Sequence, residues 1–515
     1  MIKTLLTVVW GVLLSTTALH AADWPQWGGT PSKNMASPEK GLPDTFTPGK
    51  KRTLGDGIDV TTAQNVKWAV WIGDFACGTP TVAEGKVFIG GMVEGQGILN
   101  CFDEATGKML WQWRVSCRSD LKADAMNFRQ FPKSLGVCSA PAVDGDRLYF
   151  VDQNCVIECL DVHGQPSKAA SEVGKARVIW TFDMYADKAV GSRPSDACNG
   201  SPLIDGDMLY VTTSNGVDRI VERPIEEDGV RKCMAPNAPS LIVLDKRNGR
   251  FLARDNAPIA ANMLHGQWSS PSMGKVQDRR LVFLGGGDGN CYAFAALTEM
   301  PRQPVTLKTV WWCDCNPPQY RGLSETGMTI RYTLGDRRRT DSINKLNDGL
   351  FVGISEIIAT PVFYKDRVYV AIGRDPEHGR GRGSLCCIDA TKTGDVTKTS
   401  TVWAYQGLDR SLCTVSISDG LLYIADVAGR LHCLDAETGI VHWVYQSNSR
   451  AVGSTMVADG KVYMPTEKCL NILAAGKEIK LLSQIKLGAS SWVTPVAANG
   501  TLYIASKNYL WAVKR

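Results

Sequence analysis

A period of 40 residues is the feature that most limits what this 515-residue chain can fold into. Thr414, Ser454 and Thr494 stand at the same place in three successive units. Each unit continues with a two-residue turn, at Asp419-Gly420, Asp459-Gly460 and Asn499-Gly500. Turns of this kind, with glycine at positive φ between alternating strands, are hairpin signals. Their succession at this period is typical of the four-stranded antiparallel blade of a β-propeller.

The same pattern recurs upstream, with insertions between the units. A first strand opens, with Pro following in the first five units, at Thr79, Ala140, Ser201, Ser270, Thr360, Thr414, Ser454 and Thr494. Third strands share a motif, read as NCFDEATG from Asn100 to Gly107 and HCLDAETG from His432 to Gly439. Outer strands carry tryptophan, at Trp111, Trp180, Trp311, Trp403 and Trp443. A large flat side chain at one recurring position packs neighbouring blades together. The sequence therefore predicts an all-β, eight-bladed propeller.

The two chain ends predict how the ring closes. The last unit stops at Arg515 after its third strand and lacks a fourth. The segment Val66 to Ile72 (VKWAVWI) has the character of that missing outer strand. We expect this N-terminal strand to join the C-terminal blade, which removes an exposed sheet edge. The propeller then spans residues 65–515, after an N-terminal extension of residues 22–64.

Residues 1–21 have the pattern of a secretory signal peptide. Lys3 gives a positive start, Leu5 to Leu14 is almost wholly apolar, and Leu19-His20-Ala21 offers a small residue at a cleavage point. The apolar run is shorter than the roughly 20 residues that cross a bilayer, and no later window approaches that length. We expect a soluble periplasmic or secreted protein without a transmembrane segment after cleavage. An uncleaved anchor is the alternative. Because no Cys lies near the cleavage point, we do not expect a lipid anchor.

Charge and cysteine content exclude several classes of protein. A net charge of +5, from 57 basic and 52 acidic residues, is too balanced to predict a nucleic-acid partner. The compact basic run at residues 337–339 is either a solvated loop or a binding patch. Sixteen Cys include four at one place in the repeat, which indicates small buried strand residues, Cys101, Cys159, Cys387 and Cys433. The sequence has no C-x-x-C-H motif, so it does not predict covalently attached haem. It has no paired C-x-x-C and no H-E-x-x-H motif, so it does not predict a metal site.

Longer motifs resemble a known superfamily. They include DWPQWGG from Asp23 to Gly29, the T-G-x-x-x-W pattern that ends at Trp111 and again at Trp443, and the segments HGQWSSPS and FLGGGDGNCYAF. These pieces are similar to the quinoprotein alcohol dehydrogenase-like propellers, over nearly all of the mature chain. Within that superfamily the chain is similar to the PQQ-binding-like repeat proteins of planctomycete-type bacteria. The motifs are specific for the family and not for a reaction.

The resemblance implies two kinds of function. Dehydrogenases of this superfamily use pyrroloquinoline quinone (PQQ) with calcium or a lanthanide, held by a Glu and an Asn beside a catalytic Asp, and many stack the quinone on a vicinal disulfide. Cys386-Cys387 is the only adjacent pair here, and neighbouring strand residues face opposite sides of a sheet, so this pair does not predict such a platform. No matching Glu, Asn and Asp set can be assigned. Similar propellers also serve in outer-membrane protein assembly.

Register within the repeat places charged residues over the channel. Glu356, Arg410 and Arg450 each stand four residues before a first strand opens. Two guanidiniums at equivalent places repel each other unless an anion lies between them, and PQQ is a tricarboxylate. The alternative is that Glu356 neutralises one of the arginines in a salt bridge.

A second set of loops, between the second and third strands, reaches the same face. It supplies Asp152, Asp288, Asp426, Glu467 and the polar segment Arg374 to Arg382, with Arg374, Asp375 and His378. This segment is either a ligand-contacting loop or a solvated loop without function. His265 and Trp268 precede the first strand of the fourth blade. Trp268 or Trp492 could stack on a planar ligand or pack between blades.

Two main functions follow from the sequence. The first is a periplasmic binding or scaffold propeller, expected to be a monomer, that takes a small anionic ligand or a protein partner at the channel face. The second is a PQQ-dependent alcohol dehydrogenase-like oxidoreductase with a divergent site. A hydrolase or lyase is the weaker third reading, because no catalytic set can be placed. No cofactor is fixed by the sequence, and PQQ with calcium is the one that the second function implies.

Overall fold

The structure, a computed structural model, describes residues 22–52, 57–118, 135–165, 167, 172–195, 197–217, 233–318, 354–373 and 382–515. These residues form an all-β, eight-bladed propeller, as the sequence predicts. The predicted signal peptide and the basic run at residues 337–339 lie outside the described residues. No helix in the described part of the chain is long and apolar enough to cross a membrane.

The first four blades carry the insertions of the repeat. The first consists of Thr81–Ala83, Lys86–Val93, Gln96–Asp103 and Met109–Val115. The second consists of Ala142–Asp144, Arg147–Val151, Val156–Asp161 and Val178–Asp183. The third consists of Leu203–Asp205, Met208–Thr212, Leu241–Asp245 and Phe251–Arg254. The fourth consists of Ser272–Val276, Arg279–Gly285, Asn290–Ala295 and Thr309–Asp314.

The last four blades are more regular. The fifth consists of Val362–Tyr364, Arg367–Ile372, Ser384–Asp389 and Thr401–Tyr405. The sixth consists of Ser416–Ser418, Leu421–Ala425, Arg430–Asp435 and Val441–Gln446. The seventh consists of Met456–Ala458, Lys461–Pro465, Leu470–Ala474 and Leu481–Ile485. The eighth consists of Val496–Ala498, Thr501–Ala505, Tyr509–Val513 and, from the other chain end, Val66–Trp71.

Short elements supplement the blades. Two-residue strands pair in parallel with the outer strands of the first, third and fourth blades, and each comes from the following blade: Gly174–Lys175, Val305–Thr306 and Gly394–Asp395. Lys50–Lys51 pairs with Ile58–Asp59 as a separate hairpin. Single 3-10 turns occur at Val60–Thr62 and Ala260–Asn262.

The ring closes as predicted. Val66–Trp71 pairs antiparallel with Tyr509–Val513, so the first and last strands of the ring lie in one sheet. Separating the chain ends would therefore require breaking a ladder of backbone hydrogen bonds and exposing two sheet edges.

Seven of the eight strand openings identified in the sequence carry a buried hydroxyl, and the exception is Ala140. Backbone N–H groups at an opening donate to the hydroxyl of the next blade's opening at 2.9 to 3.1 Å, for Ala140 to Ser201, Ser201 to Ser270, Thr360 to Thr414, Thr414 to Ser454 and Ser454 to Thr494. This contact satisfies an N–H group that a strand edge would leave unpaired. It explains why Ser or Thr recurs at the openings.

An aromatic rung crosses each of six blades. In the sixth blade Tyr423, Cys433 and Trp443 lie side by side on the second, third and outer strands. The Tyr423 and Trp443 ring centroids are 5.9 Å apart, and the small Cys433 fits between them. Equivalent ring pairs at 5.8 to 5.9 Å are Phe88–Trp111, Tyr149–Trp180, Phe283–Trp311, Tyr369–Trp403 and Tyr503–Trp68. The four recurring cysteines are thus buried, free strand residues, as predicted.

The tryptophan of each rung also binds the next blade. The indole N–H of Trp443 donates to the Gly476 carbonyl of the seventh blade at 3.0 Å. The same bond, at 3.0 to 3.3 Å, is made by Trp68, Trp111, Trp180, Trp311 and Trp403. The turn glycine of the next blade packs against the same ring in four of these pairs, and these glycines are Gly107, Gly164, Gly249 and Gly439. This geometry is the physical reason for the T-G-x-x-x-W motif.

The N-terminal segment fills the channel between the inner strands. We call residues 22–39 the plug. Its backbone pairs with the first strand of the first blade, where the Trp24 N–H donates to the Val82 carbonyl at 2.8 Å and the Val82 N–H donates to the Trp24 carbonyl at 3.0 Å. The Asn34 amide makes two bonds to Ile417 of the sixth blade, at 2.8 and 2.9 Å.

Bonds from plug residues reach the first strand, or its opening, in all eight blades. The partners in the other six are Val143, Pro202, Met273, Phe363, Val457 and Ala497. Asp23 and Glu39 bind the turns between first and second strands in the first and eighth blades. The plug therefore closes the channel at the end where those turns lie.

Lys33 is the one fully buried lysine of the plug. Its ammonium donates to Gln26 Oε1 at 2.8 Å and to the Pro202 carbonyl at 3.5 Å. Burial lowers the pKa of Lys33 from its ordinary 10.5 to about 7, because the charged form loses its hydration.

Replacing the turn glycine Gly439 tests the contact between blades. Its φ is +74°, and an added Cβ would lie 2.6 Å from the Trp403 ring. Gly420 is a matched control, since its φ is +76° and nothing lies within 4 Å of an added Cβ. We expect Gly420→Ala to lower the free energy of unfolding by about 1 kcal/mol, and Gly439→Ala by a further 1 to 3 kcal/mol, roughly. Equal losses in urea denaturation would contradict the steric argument.

The buried charge of Lys33 predicts a pH dependence. The unfolded chain keeps the proton up to pH 10.5 and the folded chain loses it near pH 7, so stability rises with pH between these values. Relative to the wild type, Lys33→Met should be most favoured below pH 7, and its advantage should shrink by about 1.4 kcal/mol per pH unit above that. Denaturation curves from pH 6 to 10 measure this difference. The exposed Lys40→Met is the control, and a pH-independent difference for Lys33→Met would refute the prediction.

Candidate functional site

The face opposite the plug is formed by two sets of connections, and we call it the loop face. One set joins an outer strand to the first strand of the next blade, and the other joins second to third strands within a blade. The insertions predicted at Cys117 to Cys138, Asn215 to Ser240 and Asn316 to Ser355 belong to these sets, as does the connection through residues 374–381. The opposite face has the turns between first and second strands and the connections between third and fourth strands, of which the longest spans residues 162–177. The three longest connections of the ring, residues 116–141, 213–240 and 315–361, all belong to the loop face.

Glu356 and His265 meet on the loop face, between the fourth and fifth blades. Glu356 Oε1 lies 3.7 Å from His265 Nδ1, and both side chains are almost completely buried. Gly286 and Gly287 hold the two loops together, since the Ile357 N–H donates to the Gly286 carbonyl and the Leu264 N–H to the Gly287 carbonyl. The sequence predicts that Glu356 and His265 both lie at this face. It does not predict their contact, because the two residues belong to different blades.

Trp268 belongs to the packing between the third and fourth blades. Its indole N–H donates to the carbonyls of Ser195 and Ala197 at 3.2 and 3.0 Å. Its ring meets the His265 ring edge to face, with centroids 4.6 Å apart. Since only 5 % of Trp268 is exposed, its contacts are with the protein's own chain.

Arg410 is buried where the fifth and sixth blades adjoin. Gly373 and Gly383, which bound the polar segment, both lie against the Arg410 backbone. Of that segment, Arg374, Asp375 and His378 lie outside the described residues, but its two ends do reach Arg410. The sequence places the connection between Gly373 and Gly383 on the same face as Arg410, and the ends of that connection do lie beside Arg410.

Arg450 occupies the register of Arg410 but has a different environment. The Val427 N–H donates to the Arg410 carbonyl at 2.9 Å, and the Glu467 N–H donates to the Arg450 carbonyl at 3.0 Å, so the two positions are equivalent. The Arg450 guanidinium is half exposed and makes a two-point contact with Glu467, at 3.2 and 2.7 Å. A carboxylate of its own blade therefore neutralises Arg450.

Two blades differ in the chemistry of one buried pair. In the sixth blade, burial alone would raise the pKa of Asp426, but bonds and charges from His432 and Arg430 outweigh it and hold the pKa low. In the second blade, Glu158 takes the place of His432. Burial raises the pKa of Asp152 to about 7, and burial with the charge of Asp152 raises the pKa of Glu158 to about 8.

Glu158 was not among the residues singled out in the sequence. The signal that could have found it is its register, one residue before a recurring Cys, where the sixth blade has His432. An acid in place of a base near Asp152 predicts raised pKa values for both carboxyl groups.

An aromatic and cationic cluster lies at the loop face of the eighth blade. Phe75 and Trp492 meet edge to face at 5.5 Å, and the Lys507 ammonium lies 5.4 and 5.1 Å from their ring centroids. Trp492 is partly exposed. This is a further candidate contact for an anionic or aromatic group.

The described residues do not fit a calcium and quinone centre. No group of three or more His, Cys, Asp or Glu side chains in the described ranges is placed to hold a metal ion. The oxygen of Asn316, which lies beside the Glu356 loop, already accepts the Ser355 N–H at 2.7 Å. Cys386 packs toward the fourth blade and Cys387 toward the sixth, so the adjacent pair faces opposite ways, as predicted.

A disulfide joins Cys77 to Cys138, across the loops that lead into the first and second blades. The sequence left cysteine pairing open. The two cysteines are 61 positions apart in the sequence, so the bond considerably lowers the conformational entropy of the unfolded chain.

Removal of this disulfide should destabilise the protein. We expect Cys77→Ala with Cys138→Ala to lower the free energy of unfolding by about 2 to 4 kcal/mol. Denaturation with and without dithiothreitol checks this, since reduction should lower the wild-type midpoint and leave that of the double variant in place. A wild-type midpoint that ignores the reductant would contradict the bond.

Comparison with known proteins identifies the family. The PQQ_2 family, described as outer membrane protein assembly factor BamB, matches residues 58–302 and 381–478. No curated protein matches the sequence.

Solved structures share the fold at low identity. BamB from Moraxella catarrhalis has a TM-score of 0.51 at 12 % identity, over 87 % of this chain and 97 % of that one. The quinohemoprotein alcohol dehydrogenase from Comamonas testosteroni has a TM-score of 0.59 at 11 % identity, over 95 % and 80 %. A europium-containing methanol dehydrogenase has a TM-score of 0.59 at 12 % identity, over 95 % and 90 %. Similarity at this level shows the fold alone. With the family match over most of its length, the chain belongs to the PQQ_2 family of PQQ-like repeat β-propellers.

Proposed function

We propose that this protein is an exported, periplasmic binding or scaffold propeller that takes a partner at its loop face. The observation that carries the proposal is the asymmetry of the ring. The plug fills the channel at the turn side, while the three longest connections of the ring, residues 116–141, 213–240 and 315–361, belong to the other side. Loops that vary on a rigid scaffold are where binding residues concentrate.

The chemistry of the loop face supports a partner with anionic groups. Trp492 and Lys507 present an aromatic ring beside an ammonium. Arg450 is half exposed, and a partner carboxylate could compete with Glu467 for its guanidinium. The family's description as an outer-membrane assembly factor is consistent with a protein partner, and residues 1–21 support export.

A PQQ-dependent dehydrogenase is the second candidate. The buried guanidinium of Arg410 favours it, because a tricarboxylate needs cations at the channel. The donor set described above does not fit the metal that such an enzyme uses, so we derive no reaction step for it.

Adding PQQ and calcium to the purified protein separates the two candidates. The binding proposal expects no quinone chromophore, an unchanged thermal midpoint and no alcohol-dependent dye reduction at micromolar PQQ. A bound chromophore with dye reduction would establish the dehydrogenase instead.

Site-specific photo-crosslinking in the periplasm tests which face binds. We expect a cross-linking amino acid at the exposed Asn448, on the loop face, to give a discrete adduct. The same substitution at the exposed Glu478, on the opposite side of the neighbouring blade, should give none. Arg450→Gln should weaken the adduct at Asn448 if an anionic group is bound, by a free energy of about 1.5 to 3 kcal/mol per bond lost. Adducts from Glu478 alone would refute the loop face as the binding surface.

A further inference from the structure

Glu39 anchors the end of the plug from a buried position. Only 6 % of the residue is exposed. Its Oε2 accepts the Gly500 N–H at 2.6 Å, in the turn of the eighth blade. Its Oε1 accepts the backbone nitrogen of Ala22 at 2.8 Å. One carboxylate thus joins the start of the plug to the last blade of the ring.

This carboxylate has acidic neighbours and, among the residues that the structure describes, no cationic side chain in an ion pair with it. The Asn499 amide donates to Asp23 at 2.8 Å and to Glu104 at 3.3 Å, which places two more carboxylates beside the same turn. Burial, and to a smaller extent the charge of Asp23, raises the pKa of Glu104. Within the described residues, no Lys, Arg or His side chain forms an ion pair with Asp23, Glu39 or Glu104. A buried carboxylate without a counter-charge is costly.

Cleavage of the chain just before Ala22 would supply a cation next to Glu39. Cleavage of the predicted signal peptide after Ala21 would turn the backbone nitrogen of Ala22 into an α-ammonium group. That nitrogen already lies 2.8 Å from Glu39 Oε1. An ammonium donor at this distance makes a charge-assisted hydrogen bond, which is stronger than that of a neutral peptide N–H.

We propose that Ala21-Ala22 is the processing site of this protein and that the new α-ammonium of Ala22 forms an ion pair with Glu39 that fixes the plug in the ring. The inference rests on the proposed export. An endoprotease of the signal-peptidase class hydrolyses the Ala21–Ala22 bond with one water, leaving a carboxylate on Ala21 and the ammonium on Ala22. Processing thereby supplies the counter-charge that the precursor lacks, and the plug is held more tightly in the exported protein.

Exported full-length protein provides the test. Intact mass and N-terminal sequencing of the periplasmic protein should give a chain that begins at Ala22. Inserting Gly-Ser between Ala21 and Ala22 keeps the N–H of Ala22 but moves the ammonium away from Glu39. We expect this insertion to lower the thermal midpoint by about 2 to 5 °C, with mass confirming the added residues.

A double-variant cycle assigns the effect to Glu39. Glu39→Gln should lower the midpoint of the normally processed protein by a similar amount, and the insertion should add little to it. Glu94→Gln, an exposed acid on the loop face, is the matched control and should leave the insertion's effect intact.

Each outcome decides something different. A periplasmic protein that retains residues 1–21 or begins elsewhere overturns the inference and leaves export standing. Correct processing with additive effects of the insertion and Glu39→Gln also overturns it. Protein confined to the cytoplasm would instead overturn the export on which the proposed function rests.

Discussion

The contact between each outer-strand tryptophan and the following blade is the interaction on which the rest of the structure depends. A four-stranded sheet buries only part of its surface by itself, so blades are stable only against neighbours. Here the indole donates to a carbonyl of the next blade, and in four blades it also packs over a glycine turn, as Trp403 does with the Ala436 carbonyl and Gly439. Because the bond always points to the following blade, it fixes the order and the angle of the blades together. The third blade has Ala253 in place of the tryptophan, and there the Tyr210 hydroxyl accepts the Leu297 N–H instead.

Channel and faces follow from that ring. The openings of the first strands lie close together, so a hydroxyl of one blade accepts a hydrogen bond from a backbone N–H of the preceding blade. The inner strands leave room for the plug between them. Once the plug occupies one end, the two faces of the propeller are no longer equivalent. The loop face gains the long insertions and a mixed set of charges, among them the Arg450–Glu467 pair and the Lys507 ammonium over Trp492.

The repeat made most of the fold predictable, because each blade restates the same local rules. The openings, the closing strand and the buried cysteines could all be read by register. Contacts between unlike segments could not. The plug has no repeat, so nothing in its sequence showed that it touches every blade. Arg410 and Arg450 share a register, yet Arg450 is half exposed and paired with Glu467, a side chain outside that register, while Arg410 is buried. The pairing of Cys77 with Cys138 likewise depends on how two loops approach each other.

The closing sheet also sets the order in which a newly made chain can complete its fold. Val66–Trp71 emerges early, yet its partner Tyr509–Val513 is made last, and Glu39 and Gly500 are separated in the same way. Until the final turn arrives, the earliest segments have no partners, and the strand edge that they will cover stays open to other chains. Such a protein acquires its lasting resistance to unfolding in one late step, so a chain shortened by even its last strand would lose the ring and not just one blade.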